Sequence, residues 1–324
     1  VAEITKGELT MDFELTQDQQ RIRAQVEELL PKRRPLPSTS KRTVDRELFE
    51  KLRMRGLLGL ARTGGPSGVL DTSLVIEQLS KAACIVPFAT QALILPLLFD
   101  QDGADIAAIK DLASEGPYRF AGDANILIVF EGETARAYQI DPAESVHVRT
   151  NYVYPFAIPG PMRGRALASA PSAAVRRRQR IGIAAECVGA MDATLAQLVD
   201  YLSEREAFGR KLGSFQALHH RMSELSVLLE SARWLSREAA WLDDDESSAL
   251  AAAYGTKAAR RFSWEAHQLC GARGFGIEFG LYEHTLRLQA LSIEAGSIQA
   301  HADEAARIAW RSDEKQVTAV TPTP

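Results

Sequence analysis

Residues 201–216, Y-L-S-E-R-E-A-F-G-R-K-L-G-S-F-Q, place an arginine, an aromatic, two glycines and a glutamine where one helical pattern ends and another begins. Before this stretch Met191, Leu195, Leu198 and Leu202 recur at steps of three and four, an apolar helical stripe. After it Leu218, Met222, Leu225, Leu229 and Ala232 make a second stripe. Two long helices therefore flank a short polar corner. An arginine there can offer a planar fork of donors to a phosphate, and a glycine beside it lets a ligand approach the backbone. The plainer reading of the same arginine is a solvated charge that complements the end of a helix.

At 324 residues, with 46% apolar and 25% charged residues, the chain can build a sizeable core of an ordinary globular kind. A formal charge of −4 gives no general pull toward nucleic acid or anionic lipid. No apolar run reads as long enough to cross a bilayer, and no targeting signal is visible, so the expected location is the cytoplasm. Cys84, Cys187 and Cys270 sit apart inside apolar patterns, which predicts buried thiols rather than a disulfide framework.

Residues 1–10 carry no periodicity and read as a tag or a disordered arm. Thr16 then caps a helix with an acidic first turn that runs to about Leu30, before the prolines of 32–37 stop it. Helical patterns at 48–60 and from 75 to 98 complete an all-helical N-terminal region. The pattern changes to β-rich runs at 126–130, 135–140 and 146–150. From Pro171 the helical period returns, with stretches around 181–208, 218–242, 249–270 and 297–308 whose antiparallel packing predicts a four-helix bundle. The basic run R-R-R-Q-R at 176–180 reads as solvated or acid-paired, so no nucleic acid is expected.

With R-x-x-F-G, a short gap and then F-Q, the corner resembles the acyl-CoA dehydrogenase family of flavoproteins. The resemblance implies a mainly α fold with a small β domain. Its parts would be an N-terminal helical domain at 11–115, a short middle β domain at 116–165, a C-terminal four-helix bundle at 166–311 and a tail at 312–324. It implies that Arg205, Phe208, Gly209, Phe215 and Gln216 lie against the FAD of a neighbouring subunit, with Arg205 at the pyrophosphate. A second string, Q-L-C-G-A-R-G-F at 268–275, is similar to the family's Q-x-x-G-G-x-G-[FY]. Gln268, Gly271, Gly274 and Phe275 match it, Gln216 and Gln268 would hold the adenosine portion, and Ala272 replaces the second glycine.

The same resemblance implies a catalytic glutamate in E-G-T-x-[EQ], a carboxylate whose desolvation raises its pKa toward that of the acyl thioester's α-carbon. Here the chain reads S-I-E-A-G-S-I-Q at 292–299, and counting without gaps places Ala295 at the base position. Glu294, the fallback, is one residue away and would point elsewhere, as an acidic residue beside the helix beginning at Ser297. No carboxylate occurs between Arg176 and Ala184, around the Gln179 place where some relatives carry their base, and Leu286 and Arg287 replace the family's R-D pair. No counterpart of the T-E-P-x-x-G-S-D flavin strand is present.

These readings imply a subunit without a catalytic residue of its own, completing the flavin site of a second acyl-CoA dehydrogenase-like chain in an α2β2 complex. It looks like the mycobacterial and actinobacterial type that acts on steroid side-chain CoA thioesters. The partner would carry the base and most of the acyl-CoA site, and an electron-transfer flavoprotein would accept the electrons. The alternatives are a self-sufficient homomeric enzyme using Glu294, and a flavin-free or nucleic-acid-associated helical scaffold.

Overall fold

Thr16 starts the first helix by a reciprocal cap: its hydroxyl accepts from the Gln19 amide at 3.3 Å, and the Gln19 side chain accepts from the Thr16 amide at 3.0 Å. This is α1 (Gln17–Leu29), followed by α2 (Arg46–Met54) and α3 (Pro66–Lys81). The computed structural model describes residues 14–30, 43–62, 66–100, 105–111 and 116–319, the last nine by backbone alone. The arm at 1–10, the prolines of 32–37 and the chain beyond 319 lie outside the described residues.

The middle of the chain forms two small sheets. One has the order β1-β3-β4-β7, from β1 (Ala107–Lys110), β3 (Ile126–Glu131), β4 (Thr134–Gln139) and β7 (Arg163–Pro171). The other has the order β2-β6-β5, from β2 (Tyr118–Arg119), β5 (Val146–Val148) and β6 (Phe156–Ile158). All pairings are antiparallel except β1 with β3. β1 lies before and β7 after the β-rich runs at 126–130, 135–140 and 146–150. Both are alanine-rich, and alanine is a poor strand former, so only their pairing to β3 and β4 makes them strands.

The rest is helical: α4 (Ser172–Glu204), α5 (Gln216–Leu242), α6 (Asp245–Cys270), α7 (Tyr282–Leu291) and α8 (Ser297–Ala319). Helix α7 is an element that the sequence reading lacked, and α8 runs well past Ile308. Helix α4 is the axis of the molecule. It packs against α3, α5, α6 and α7, and it is buried almost continuously from Gln179 to Met191. By length and composition α4 would suit a membrane, contrary to the expectation that no run is long enough. Its apolar residues are instead consumed by the neighbouring helices. The three cysteines are buried and free.

The arginine run at the start of α4 turns inward. Arg177 and Arg178 pair with Asp245 and Asp243 at 2.8 Å, Arg180 reaches Glu304 at 3.8 Å, and Arg176 donates to Gln179 and to the Asp111 carbonyl. A run spent on internal partners offers little to a phosphate backbone.

Helix α4 approaches α3 at Gly189, where an added methyl would lie 2.1 Å from the Glu77 carbonyl oxygen. Elsewhere on the bundle, the methyl of an alanine at Gly255 would meet its nearest atoms at an ordinary 3.7 Å. Gly189→Ala should therefore lose on the order of 3 kcal/mol of stability through helix displacement, although alanine is the better helix former. Gly255→Ala should gain about 0.5 to 1 kcal/mol. Urea denaturation of the two variants checks this; equal midpoints would contradict the packing described.

Candidate functional site

Two regions of the molecule carry groups suited to chemistry, and Glu186 and Arg205, one in each, are separated by roughly 28 Å along α4. The first is interior. A cavity of about 340 Å³ lies between the β2-β6 side of the sheets and the turn that precedes α8. Its wall is mostly apolar, from Ile109, Tyr118, Phe156 and Ile293, and it includes Arg119, Asp111 and Glu294.

Arg119, at the end of β2, donates to Glu186 on α4 at 2.7 Å and to Glu294 at 3.0 Å. Its guanidinium lies 4.6 Å from the centre of the Tyr154 ring, and Arg287 sits at the same distance from that ring. Arg287 is wholly buried and donates to the Tyr154 hydroxyl at 2.8 Å and to the Cys84 carbonyl at 3.0 Å. The arginine that departs from the family's R-D pair is thus a core residue of α7.

Glu294 does not sit as an exposed acid beside a helix end. The turn after it carries three successive positive φ angles, at Ala295 (53°), Gly296 (95°) and Ser297 (80°). Two of these residues are not glycine, and such conformations cost about 1 to 3 kcal/mol each unless the surroundings hold them. The hold here is Asp111, whose carboxylate accepts from the Ala295 amide at 2.7 Å. The resulting backbone path brings the Glu294 carboxylate inward, onto Arg119 and the cavity wall. Position alone, by the spacing of a regular helix, could not foresee that reversal.

One guanidinium faces two carboxylates, with Asp111 close by. Arg119 is held charged, its pKa driven up by Glu186 and Glu294 against the cost of burial. Glu294 is pushed up to about 7, by burial first and then by Glu186 and Asp111, with Arg119 opposing. On α8, His301 is buried and pushed down to about 4, by burial and by Arg180, so it stays neutral near pH 7.

The second region is the polar corner, and it is open. Helix α4 ends at Glu204, and Arg205 leaves it with its amide still bonded to the Tyr201 carbonyl at 2.9 Å. The hairpin of β8 (Glu206–Ala207) and β9 (Arg210–Lys211) follows, with Phe208 and Gly209 at φ of 55° and 77°. These angles belong to the tight turn that a two-residue hairpin favours, and the first would ordinarily be Asn or Asp. Phe208 is 90% exposed, its ring edge-on to Phe215 at 6.2 Å, and Arg210 lies 3.8 Å above Phe215. Gly213 lets the chain pass close under α4, where a methyl would be 2.9 Å from the Leu202 carbonyl oxygen.

The end of α6 comes to the same place: the Tyr201 hydroxyl donates to the Cys270 carbonyl at 3.4 Å. Gln268, Gly271 and Phe275 are exposed there, and Gly271 has φ of 55° with nothing within 4 Å of an added methyl. Gly274, by contrast, is buried, and a methyl on it would press on Cys270 at 2.9 Å; its size serves packing rather than a ligand. Among the described residues, Arg205, Arg210 and Arg273 have no acidic partner, and the Gln216 and Gln268 side chains have no hydrogen-bond partner. The structure thus gathers Arg205, Phe208, Phe215 and Gln216 with Gln268 and Gly271 at one end of the bundle, while Glu294 and Ala295 lie in the interior.

Sequence reasoning missed Arg119, Glu186 and Asp111. Glu186 carried a signal, a lone carboxylate inside the apolar run I-G-I-A-A-E-C-V-G-A-M, where an unpaired charge would be intolerable. Arg119, in a short strand, carried none.

A family signature described as the acyl-CoA dehydrogenase C-terminal domain matches residues 176–309. The chain is 30% identical over 257 residues to acyl-CoA dehydrogenase IpdE2 of Mycolicibacterium smegmatis, covering 75% of this chain and 78% of that protein. A chain of the ChsE4-ChsE5 complex from Mycobacterium tuberculosis has the same fold, with a TM-score of 0.74 at 19% identity over 97% of this chain and 100% of that one. A chain of the Tcur3481-Tcur3483 steroid ACAD gives 0.71 at 16% identity over 92% and 99%. The chain belongs to the acyl-CoA dehydrogenase family.

The raised Glu294 predicts a pH dependence of stability. Its folded pKa lies above the ordinary 4.5, so between about 4.5 and 7 the folded state binds more protons than the unfolded one. Stability from this group therefore falls as pH rises through that window, and the cost is complete above it. Glu294→Gln should match the wild type in stability near pH 4.5 and exceed it at pH 8, by on the order of 3 kcal/mol, read as a higher melting temperature. Parallel melting curves across the window would contradict the burial of this carboxylate.

Proposed function

We propose that the chain is a half-site subunit of a heteromeric FAD-dependent acyl-CoA dehydrogenase, which desaturates an acyl-CoA thioester between its α and β carbons. In this reading the chain completes the flavin site of a partner subunit and carries no base. The observation that supports it best is the capture of Glu294: its carboxylate is tied to an arginine already shared with Glu186, and the residue at the counted base position is Ala295. A base must present a free lone pair to the α-hydrogen.

The open corner supports the other half of the reading. Its unpaired cation, free amides, exposed aromatic rings and bare Gly271 suit the pyrophosphate and adenosine of a dinucleotide that a second chain holds. FAD, when bound, would accept the β-hydrogen with its electron pair. This chain would contribute Arg205 to the pyrophosphate, Gln216 and Gln268 to the adenosine portion, and Phe208 as a wall that excludes water. The partner would be a second acyl-CoA dehydrogenase-like chain in an α2β2 assembly, binding most of the acyl-CoA and passing electrons to an electron-transfer flavoprotein in the cytoplasm. The ChsE4-ChsE5 complex and the Tcur3481-Tcur3483 steroid ACAD, both of this fold, support two unlike chains, and the second supports a steroid CoA thioester as the substrate class.

A second reading, a homomeric enzyme with Glu294 as base, draws on one observation: this carboxylate lines the cavity and its pKa is pushed up to about 7. The two readings diverge in a single experiment. The chain purified alone should lack flavin and dye-reducing activity with acyl-CoA, and the complex with its partner should keep its turnover in Glu294→Gln. Activity of the lone chain that Glu294→Gln lowers by a factor of about 100 or more would establish the second reading instead.

A further inference from the structure

We infer that Arg273 is a second phosphate-binding arginine of the open corner, acting beside Arg205 on the pyrophosphate of the dinucleotide that the partner holds. This rests on the half-site reading above and adds to it a residue that neither family string singles out. A pyrophosphate bridge carries two negative charges, and a single guanidinium from this side balances one of them. Arg273 is placed to balance the other.

The placement follows from four contacts. Arg273 lies two residues beyond Gly271, in the tight turn of residues Gly271–Phe275, and it is exposed. Its guanidinium is 5.6 Å from the centre of the Phe279 ring. Phe279 meets Tyr201 edge-on at 5.2 Å. Tyr201 in turn accepts, through its carbonyl, the amide of Arg205 at 2.9 Å, and its hydroxyl reaches the Cys270 carbonyl. The Arg273 guanidinium thus lies on one side of the ring pair of Phe279 and Tyr201, and the backbone of Arg205 leaves α4 one turn after Tyr201, so both arginines belong to the place where the ends of α4 and α6 meet.

Stacking on Phe279 leaves the edge of the Arg273 guanidinium, where its donors lie, free for an anion. No acidic side chain among the described residues takes that edge. An arginine held by a ring and left without a carboxylate loses less side-chain freedom on binding an anion than a freely rotating one. Arg210 also lies over a ring, but over Phe215, which follows its own hairpin, and not over the Phe279 ring beside Gly271. Gly271, whose backbone is bare, is the place where a ligand could come nearest, and Arg273 is the cation beside it.

The test uses the complex with its partner, stripped of flavin and titrated with FAD by the change in flavin fluorescence at several salt concentrations. Size measurement accompanies each variant. Arg273→Ala should weaken FAD binding about tenfold and make binding less steep in salt, with the assembly intact. Arg273→Lys, which keeps the charge and loses the fork, should recover the salt dependence and part of the affinity. If Arg205→Ala weakens FAD binding while Arg273→Ala leaves affinity and salt dependence at wild-type values, the role given to Arg273 is wrong and the half-site reading stands. If neither variant changes FAD binding, the half-site reading fails with it. Dissociation of the complex by Arg273→Ala would assign Arg273 to the subunit contact and also overturn the proposal.

Discussion

A single buried guanidinium, that of Arg119, joins the small sheets to the helical bundle by binding Glu186 of α4 and Glu294 of the turn before α8. Taking three charges out of water is costly, and a buried ion cluster is tolerable only when each member finds a partner at close range. The cluster therefore fixes relative positions more than it adds stability. It sets where β2 meets α4 and, with Asp111 on the Ala295 amide, it holds the left-handed turn in a conformation that alanine and serine would otherwise avoid. Every donor and acceptor thus committed is one fewer to greet a substrate. A glutamate on a cavity wall with a raised pKa has the look of a base, yet its lone pairs face an arginine that cannot leave without stranding Glu186.

The corner shows the opposite economy. Among the described residues its arginines have no acidic partner and its glutamine side chains no hydrogen-bond partner, Phe208 is 90% exposed, and that same residue occupies a backbone conformation usually left to Gly or Asn. A large aromatic side chain held in that conformation and turned to solvent gains nothing for the fold of this chain. Exposed ring, unpaired cation and bare glycine are together the features of a surface that is completed from outside. The charges of the Arg119 cluster are paired inside the chain, while among the described residues the arginines of the corner have no acidic partner, and this contrast is the physical content of the half-site account.

Much of the bundle was legible in the sequence because helices with one buried stripe declare their period, as Met191 to Leu202 and Leu218 to Ala232 do. The cap at Thr16 was equally plain, since capping chemistry is local. The corner could be read because its residues are consecutive. Helix α7 was hidden by its shortness and its buried polar residues, Glu283, His284, Thr285 and Arg287, which do not read as a core stripe. β1 and β7 were hidden by alanine. The ion cluster was the least legible feature, because Asp111, Arg119, Glu186 and Glu294 come from four separate segments and only tertiary packing brings them together. The direction of Glu294 depended on three positive φ angles in a row, which no residue pattern in A-G-S announces beyond its one glycine.

In the half-site assembly the flavin belongs to the partner, and this chain supplies only its edge. The flavin content of the native complex, measured as flavin absorbance against protein mass with the copy number of each chain determined in the same sample, tests that claim most directly. One flavin for each pair of unlike chains is the predicted result. One flavin for every chain, or flavin bound by this chain in the absence of any partner, would contradict it.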